Sequence, residues 1–203
     1  PEGEGEVSML NLLTNSLRMR PDRVIVGEVR SKRETEVLFE AMHTGHSVYS
    51  TFHAEKSQEV VDRITSPPMS IPPTVLHSLQ IIIVQFRNRR TRQRRTLEIV
   101  ELVRNDQGET TLNPVFKWDP RTDIIGETRT GSVRLKQELE VFAGISGDDM
   151  RADLDGKKAV LEWMLNQGVT DVNNVGRIVT QYYMDMDEVV DRALKNEKIE
   201  LEQ

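Results

Sequence analysis

Two short strand patterns, each followed by a helical pattern, occupy residues 23–65. The first strand pattern is the apolar run Arg23–Val26, and the second is "SVYST", residues 47–51. Helical apolar spacing follows each of them, in residues 31–46, where Gly45 supplies a C-terminal cap, and in residues 52–64. Strand, helix, strand and helix at this pitch predict an α/β fold with a parallel sheet built from crossover units.

The segment before the first strand pattern has two parts. Residues 1–7 alternate Gly and Glu, so they cannot bury apolar surface and are expected to form a mobile entry segment. Residues 8–20 carry apolar side chains at helical spacing and are followed by Pro21, which predicts a helix that stops there.

The sequence pattern changes after residue 65. The proline-rich stretch 66–73 predicts an irregular connector before a short helix around residues 75–79. Three further strand patterns are expected to add antiparallel strands to the parallel core: residues 80–86, 96–103 and 111–119. From Gly131 onward strand patterns give way to four helical ones. We therefore expect an α/β portion, residues 1–130, and a helical C-terminal domain, residues 131–203.

Composition excludes several classes of protein. In 203 residues there is no apolar run long enough to span a membrane and no secretory leader at the start. The absence of cysteine excludes disulfides and cysteine zinc sites, and the four histidines lack the spacing of a zinc-binding helix. A net charge of -6 argues against a nucleic-acid footprint over the whole surface. A cytoplasmic location is the simplest interpretation.

Glu28 follows the first strand pattern at the place where ligands bind in open parallel sheets, outside the carboxyl ends of the strands. Beside a nucleotide, such a carboxylate can hold Mg²⁺ through water, or orient and deprotonate an attacking water. Gly27 would let the backbone approach a phosphate without a Cβ in the way. The alternative is structural, because Glu28 can also pair with Arg30 or cap the following helix.

His46 and His53 stand at the two ends of the second strand pattern. We expect both to lie near the same sheet edge as Glu28, where an imidazole can donate a hydrogen bond to a phosphate oxygen. Taken singly, each histidine is more commonly structural, and together with Glu28 they form a candidate site.

Residues 17–64, "LRMRPDRVIVGEVRSKRETEVLFEAMHTGHSVYSTFHAEKSQEVVDRI", resemble the Walker B and histidine boxes of the secretion ATPases. These proteins drive type II secretion, type IV pili and the archaeal flagellum (archaellum), and the similarity is greatest to the archaeal branch. The resemblance implies that Glu28 is the catalytic Walker B glutamate and His53 the histidine-box residue near the γ-phosphate. It also implies that His46, Arg30 and Arg63 support the same nucleotide face.

The resemblance carries expectations about the whole protein. Residues 1–130 would be the C-terminal portion of a RecA-like P-loop NTPase core that uses ATP and Mg²⁺. The family assembles as a hexamer on a membrane platform protein at the inner face of the cell membrane, and it converts ATP hydrolysis into protein export or filament assembly.

One motif of the family is missing. No G-x-x-x-x-G-K-[ST] phosphate loop is present, and the pair Gly156-Lys157 is followed by Lys158 within the helical tail. We therefore expect the phosphate loop to lie upstream of Pro1 and the chain alone to be inactive. The alternative is a stand-alone, non-catalytic interaction module that docks on a secretion platform.

An arginine-rich run separates the first two of the three later strand patterns. Its members can bind anionic lipid, an acidic partner or nucleic acid, or form a solvated hairpin: Arg87, Arg89, Arg90, Arg92, Arg94 and Arg95. Nucleic acid is the least favoured partner, because no aromatic residues alternate with the arginines.

An apolar stripe in the tail is open to two interpretations, a docking face for a membrane partner or the core of a helical bundle. Its members are Leu161, Trp163, Met164, Leu165, Ile178, Val179, Tyr182 and Tyr183.

Overall fold

The computed structural model of the chain describes residues 7–200. They divide into two compact units, one ending at Leu135 and the other beginning at Lys136. The boundary expected at residue 130 stays a prediction; the first unit continues to Leu135, and Glu101 binds residues 132–135 within it. Of the entry segment expected to be mobile, residues 1–6 lie outside the described residues and only Val7 lies within them. Its mobility stays a prediction.

The first half of the first unit has the predicted crossover arrangement. Helix α1 (Met9–Arg18) precedes strand β1 (Arg23–Val26), helix α2 (Lys32–His43) connects it to β2 (Ser47–Ser50), and helix α3 (Ser57–Thr65) follows. Strands β1 and β2 pair in parallel. The predicted parallel pairing is therefore confirmed.

Helix α2 is defined by caps at both ends. The Ser31 hydroxyl accepts from the Glu34 amide, and the Glu34 carboxylate accepts from the Ser31 amide, which forms a capping box. At the other end Gly45 has φ +92, and the Gly45 and His46 amides donate to the carbonyls of Met42 and Ala41. A left-handed glycine with these two bonds ends the helix as predicted.

The later strands form a separate antiparallel sheet in the order β3-β4-β5-β6. Its strands are β3 (Ile81–Arg87), β4 (Arg94–Arg104), β5 (Thr110–Asp119) and β6 (Ile124–Glu127). Three of them were predicted, whereas β6 was not. Among the described residues no hydrogen-bonded strand joins β2 to β3, so the antiparallel strands do not extend the parallel pair directly.

An apolar groove of about 420 Å³ lies between β2 and β3, and we call it the β2–β3 groove. One side is formed by residues 48–52 and the other by residues 81–85, with Phe39 and Ile64 from the helices below. The core beneath the groove includes the proline-rich connector, where Met69 and Ile71 are buried. Each strand therefore presents one edge that no described strand covers.

Glu101 holds the end of the first unit in place. Its carboxylate, in the middle of β4, is buried and accepts hydrogen bonds from the Ser132 hydroxyl and the backbone amides of residues 133–135. The side-chain amide of Asn113 donates to the same carboxylate. Burial raises the pKa of Glu101, but these hydrogen bonds outweigh that effect and hold the pKa below its ordinary value.

The second unit is helical. A short helix α4 (Arg134–Glu138) spans the boundary and continues as a π-helical turn, Leu139–Ala143. Helices α5 (Gly147–Asn166), α6 (Val172–Met184) and α7 (Met186–Leu194) follow. None of the helices formed within residues 7–200 combines the length and apolar character that crossing a membrane requires.

The apolar stripe of the tail divides between the two interpretations. Four of its members are buried in the core of the helical unit: Trp163, Met164, Ile178 and Tyr182. The other four are exposed: Leu161, Leu165, Val179 and Tyr183. The buried half forms the bundle core, so the stripe is not one continuous docking face.

Replacing Glu101 with alanine should destabilise the first unit by about 3 kcal/mol, because buried donors lose their acceptor. Native-state hydrogen exchange in β4 measures the change in unfolding free energy. Glu101→Gln, which keeps the shape and one acceptor oxygen, should cost less. A loss below about 0.5 kcal/mol in the alanine variant would contradict this role.

The lowered pKa of Glu101 also predicts an acid sensitivity. A carboxyl whose pKa is lower in the folded state stabilises fully above its unfolded pKa, and this contribution is lost as pH falls through the folded pKa. Stability should therefore decrease below about pH 4.5 in the native chain. The decrease should be smaller in Glu101→Gln, and equal decreases in both proteins would show that other carboxyls cause it.

Candidate functional site

The carboxyl ends of β1 and β2 lie side by side. Val26 is paired with Ser50, so the next residues, Gly27 and Thr51, leave the sheet together. The Thr51 hydroxyl donates a hydrogen bond to the Gly27 carbonyl. This bond fixes the loop that carries Glu28 against the loop that carries His53.

Glu28 is bound by two basic side chains at once. Its Oε1 lies 3.1 Å from His53 Nε2, and its Oε2 accepts from Arg30 Nε at 2.7 Å and also from Arg30 Nη2. The Glu28 side chain is 24% exposed, whereas those of Arg30 and His53 are 77% and 84% exposed. The structural pairing with Arg30 is present, and the expected proximity of Glu28 and His53 is present too.

The ionisation of Glu28 follows from these contacts. The hydrogen bonds from Arg30 hold the pKa of Glu28 below its ordinary value, and the charges of Arg30 and His53 act in the same direction against partial desolvation. Glu28 is therefore a carboxylate at neutral pH. Arg30 itself is positioned by the cap of α2, because its backbone amide donates to the Glu34 carboxylate at 3.0 Å.

Arg63 holds the loop that carries His53. From α3 its guanidinium donates to the His53 carbonyl and lies 5.0 Å from the centre of the Phe52 ring. The same guanidinium is 3.6 Å from the Glu59 carboxylate. Arg63 thus acts on the backbone of His53 and does not contact Glu28.

The expected position of His46 is wrong. His46 precedes β2, and its ring nitrogen Nδ1 lies 3.3 Å from the Ala41 carbonyl at the end of α2. In a parallel pair this is the amino end of the strands, whereas Glu28 and His53 lie at the carboxyl end. Four residues of strand separate the two ends by about 13 Å, so His46 does not share an edge with Glu28.

Gly27 is exposed, and a Cβ added there would meet no atom within 4 Å. The packing of the described residues therefore does not require glycine at this position. The expectation that Gly27 faces a phosphate stays a prediction.

Two residues of the site were not predicted. Thr51 ties the two loops, and Glu34 positions Arg30 through the capping box. The spacing Ser31-x-x-Glu34 is a sequence signal for the second. No local pattern signals the first, since its partner is 24 residues away.

Glu28 can hold Mg²⁺ only as part of a larger set of ligands. Within residues 7–200, no group of three or more His, Asp or Glu side chains converges on a possible metal position. Mg²⁺ at nucleotide sites is commonly held by one or two carboxylates, with phosphates and waters as the other ligands. A single carboxylate such as Glu28 fits that mode.

The arginine-rich run lies in the first unit at the turn between β3 and β4. None of its six arginines contacts Glu28.

Residues 2–133 match the family described as type II/IV secretion system protein. The chain belongs to this family. It is 36% identical over 162 residues to an uncharacterized protein of Methanocaldococcus jannaschii, a match that covers 78% of this chain and 59% of that protein. It is also 30% identical over 192 residues to the type II secretion system protein E of Pseudomonas aeruginosa, covering 81% of this chain and 36% of that protein.

Two further similarities are shorter or weaker. The type IV pilus assembly ATPase PilB of Pseudomonas aeruginosa is 36% identical over 70 residues, which are 34% of this chain and 12% of that protein. Among solved structures, the Yersinia pseudotuberculosis ATPase DotB covers 93% of this chain and 41% of its own, with 19% identity and a TM-score of 0.37. The chain spans only 20–59% of the length of three relatives from Methanocaldococcus jannaschii.

Replacing Arg30 with glutamine should raise the pKa of Glu28 toward its ordinary value of 4.5, because the largest cause of its lowering is removed. A titration of the Glu28 carboxyl carbon by NMR measures this. Arg33→Gln removes an exposed neighbouring charge that makes no bond to Glu28 and serves as the control. Equal shifts in both variants would show that the contact between Arg30 and Glu28 does not persist in solution.

Proposed function

We propose that this chain is the C-terminal part of a secretion or pilus motor ATPase with a RecA-like core. The observation that carries the proposal is the position of Glu28, an ionised carboxylate at the carboxyl end of a parallel strand between Arg30 and His53. Ligands of open parallel sheets bind at this edge. Membership of the family and the similarity to proteins named as secretion and pilus components support the same activity.

Each side chain then has a role in ATP hydrolysis. Glu28 orients the attacking water and accepts its proton, and it would hold Mg²⁺ through a second water, where the cation would neutralise charge on the phosphates. His53 donates a hydrogen bond to the γ-phosphate, and Gly27 lets the backbone approach it. Arg30 and Arg63 support this face, Arg63 through the His53 backbone.

In this arrangement Glu28 must change partners. Both of its oxygens are occupied by basic groups, which leaves little acceptor capacity for a water. Neither partner is held by packing, since the side chains of Arg30 and His53 are 77% and 84% exposed. We propose that Arg30 leaves Glu28 and turns toward a phosphate when nucleotide binds, because a phosphate offers the guanidinium a bidentate acceptor.

The β2–β3 groove supports the expectation that the site is completed by more chain. Parallel sheets are normally covered on both faces, and a two-stranded sheet is marginal alone. Here Ile25 and Tyr49, which are paired across β1 and β2, are 78% and 56% exposed. We propose that the strand leading into the G-x-x-x-x-G-K-[ST] loop fills the groove and pairs with β2 and β3. That loop would then supply the phosphate contacts that the described residues lack.

The remaining features of the proposal concern the whole assembly. The complete protein would work as a hexamer on a membrane platform protein, peripheral at the cytoplasmic face of the membrane, and move a secreted or pilin-like subunit. Family membership supports these features. The archaellum is one of the machines that this branch could serve, and relatives in the archaeon Methanocaldococcus jannaschii accord with it.

A second candidate is a stand-alone interaction module without catalysis. The β2–β3 groove favours it in one respect, because two uncovered strand edges can accept a strand from a separate protein. The coding sequence upstream of Pro1, read in frame, separates the candidates. A phosphate-loop motif there supports the motor, and a start codon immediately before Pro1 supports the module.

The motor proposal predicts that this chain alone hydrolyses ATP no faster than the buffer background. In the protein extended to include its phosphate loop, Glu28→Gln should lower the turnover rate at least 100-fold, as expected on loss of a general base. Release of phosphate from saturating Mg-ATP measures both. Glu36→Gln, an exposed carboxylate in α2 away from the site, should retain activity.

Two results would contradict this prediction. Turnover by the isolated chain that Glu28→Gln abolishes would show that the phosphate loop is dispensable. Full activity of Glu28→Gln in the extended protein would remove Glu28 from the mechanism.

A further inference from the structure

Five exposed arginines surround the turn between β3 and β4. We call them the arginine turn: Arg87, Arg89, Arg90, Arg92 and Arg94. Within the described residues, none of the five forms an ion pair with a carboxylate. The sixth arginine of the run, Arg95, differs, because it binds Asp123 through two hydrogen bonds of 2.7 and 2.6 Å. That pair lowers the pKa of Asp123 to about 2.

The arginine turn lowers the stability of the hairpin that carries it. Arg87 and Arg94 are direct partners across the antiparallel pair, and like charges in that position destabilise a hairpin. Arg92 has φ +59, a left-handed conformation in which glycine or asparagine is favoured. Choices that oppose local stability are expected at functional positions.

The turn nevertheless has a defined conformation. The side-chain oxygen of Asn88 accepts from the backbone amides of Arg90 and Thr91, at 2.9 and 3.0 Å. The backbone amide of Asn88 donates to the backbone carbonyl of Gln93, and the backbone amide of Arg92 donates to the backbone carbonyl of Asn88. The guanidinium groups therefore project from a turn whose backbone conformation is fixed by hydrogen bonds.

Apolar side chains are exposed at the same end of the sheet. The bond between Arg95 and Asp123 places the turn between β5 and β6 beside the arginine turn. Ile124 begins β6 there and is 63% exposed. Phe86, which precedes Arg87, packs against Trp118 with ring centres 6.0 Å apart. Charge and apolar surface thus meet at one end of the antiparallel sheet.

We propose that this end of the sheet binds the surface of an anionic lipid bilayer. Arginines gain energy from anionic headgroups, and an exposed apolar side chain such as Ile124 enters the boundary with the acyl chains. The interaction goes beyond ATP hydrolysis and does not depend on the role proposed for Glu28.

Other anionic partners fit this surface less well. Single-stranded nucleic acid needs aromatic faces on which bases stack, but the two nearest rings, Phe86 and Trp118, contact each other. An aliphatic side chain such as Ile124 offers no base-stacking face, whereas a bilayer can accept it. An acidic protein segment can pair with the arginines, whereas a bilayer offers anionic headgroups together with an apolar layer that accepts Ile124.

The test is co-sedimentation of the chain with vesicles of phosphatidylcholine and phosphatidylglycerol in a ratio of about 3:1 at low salt. The triple variant R89Q/R90Q/R92Q should reduce the partition coefficient about 100-fold, since each basic residue near such a surface contributes roughly fivefold. Pure phosphatidylcholine vesicles should bind weakly, and rising salt should weaken binding to the anionic ones.

Two matched variants separate charge at this turn from charge in general. The variant R89K/R90K/R92K keeps the charges and should retain binding within about tenfold. The variant K158Q/K195Q/K198Q removes three exposed charges from the helical unit and should bind like the native chain. Circular dichroism confirms that each variant is folded.

Three results would overturn the proposal. The first is no binding to anionic vesicles by the native chain. The second is equal loss in the two glutamine variants, which would show a response to net charge alone. The third is binding of a labelled single-stranded oligonucleotide that the triple variant abolishes while vesicles do not bind, which would assign the turn to nucleic acid.

Discussion

The parallel pairing of β1 with β2 is the interaction on which the candidate site depends. Each strand has only four residues, and their register places Gly27 beside Thr51, whose hydroxyl joins the two loops. A shift of one residue would turn the strand side chains to the opposite face and separate Glu28 from His53. Helix α2 stabilises this register, because its caps fix where the connection leaves β1 and enters β2.

The same pairing is incomplete as a sheet. One face of it is covered by apolar residues of α1 and α2, whereas the other presents Ile25 and Tyr49. The open face, the β2–β3 groove and the occupied oxygens of Glu28 have one explanation in the proposed function. In that proposal the strand that leads into the phosphate loop fills the groove and would close the sheet beside the loops of the site.

Charged groups of the first unit lie in two contrasting environments, buried with hydrogen-bond partners at Glu101 and exposed to water at the arginine turn. Glu101 is buried, and five donors satisfy it, because an unpaired carboxylate there would cost several kcal/mol. The arginine turn lies in water, where unpaired cations are tolerated, and it still retains an unfavourable pair between Arg87 and Arg94. The buried charge of Glu101 is therefore stabilised by hydrogen bonds within the fold, while the charge of the arginine turn is left for an external partner.

The sequence by itself determined the local elements and the chemistry of the chain. Apolar periodicity predicted β1, β2, the three longer antiparallel strands and the four tail helices, and the capping signals of α2 were readable because they are local hydrogen bonds. The motif order around Glu28 indicated the family. Strand β6 was missed, since its four exposed residues have no buried face to produce a pattern.

Only the tertiary structure decided which groups meet. It separated His46 from Glu28, although the parallel direction of β2 already implied that the residue before the strand lies at the opposite end from the residues after it. It also joined Thr51 to Gly27, residues 132–135 to Glu101 and Asp123 to Arg95, and it left the β2–β3 groove open. These contacts link residues 24 to 34 positions apart, and no local periodicity encodes them. They form because chain packing brings donors and acceptors together and leaves a buried polar group no alternative partner.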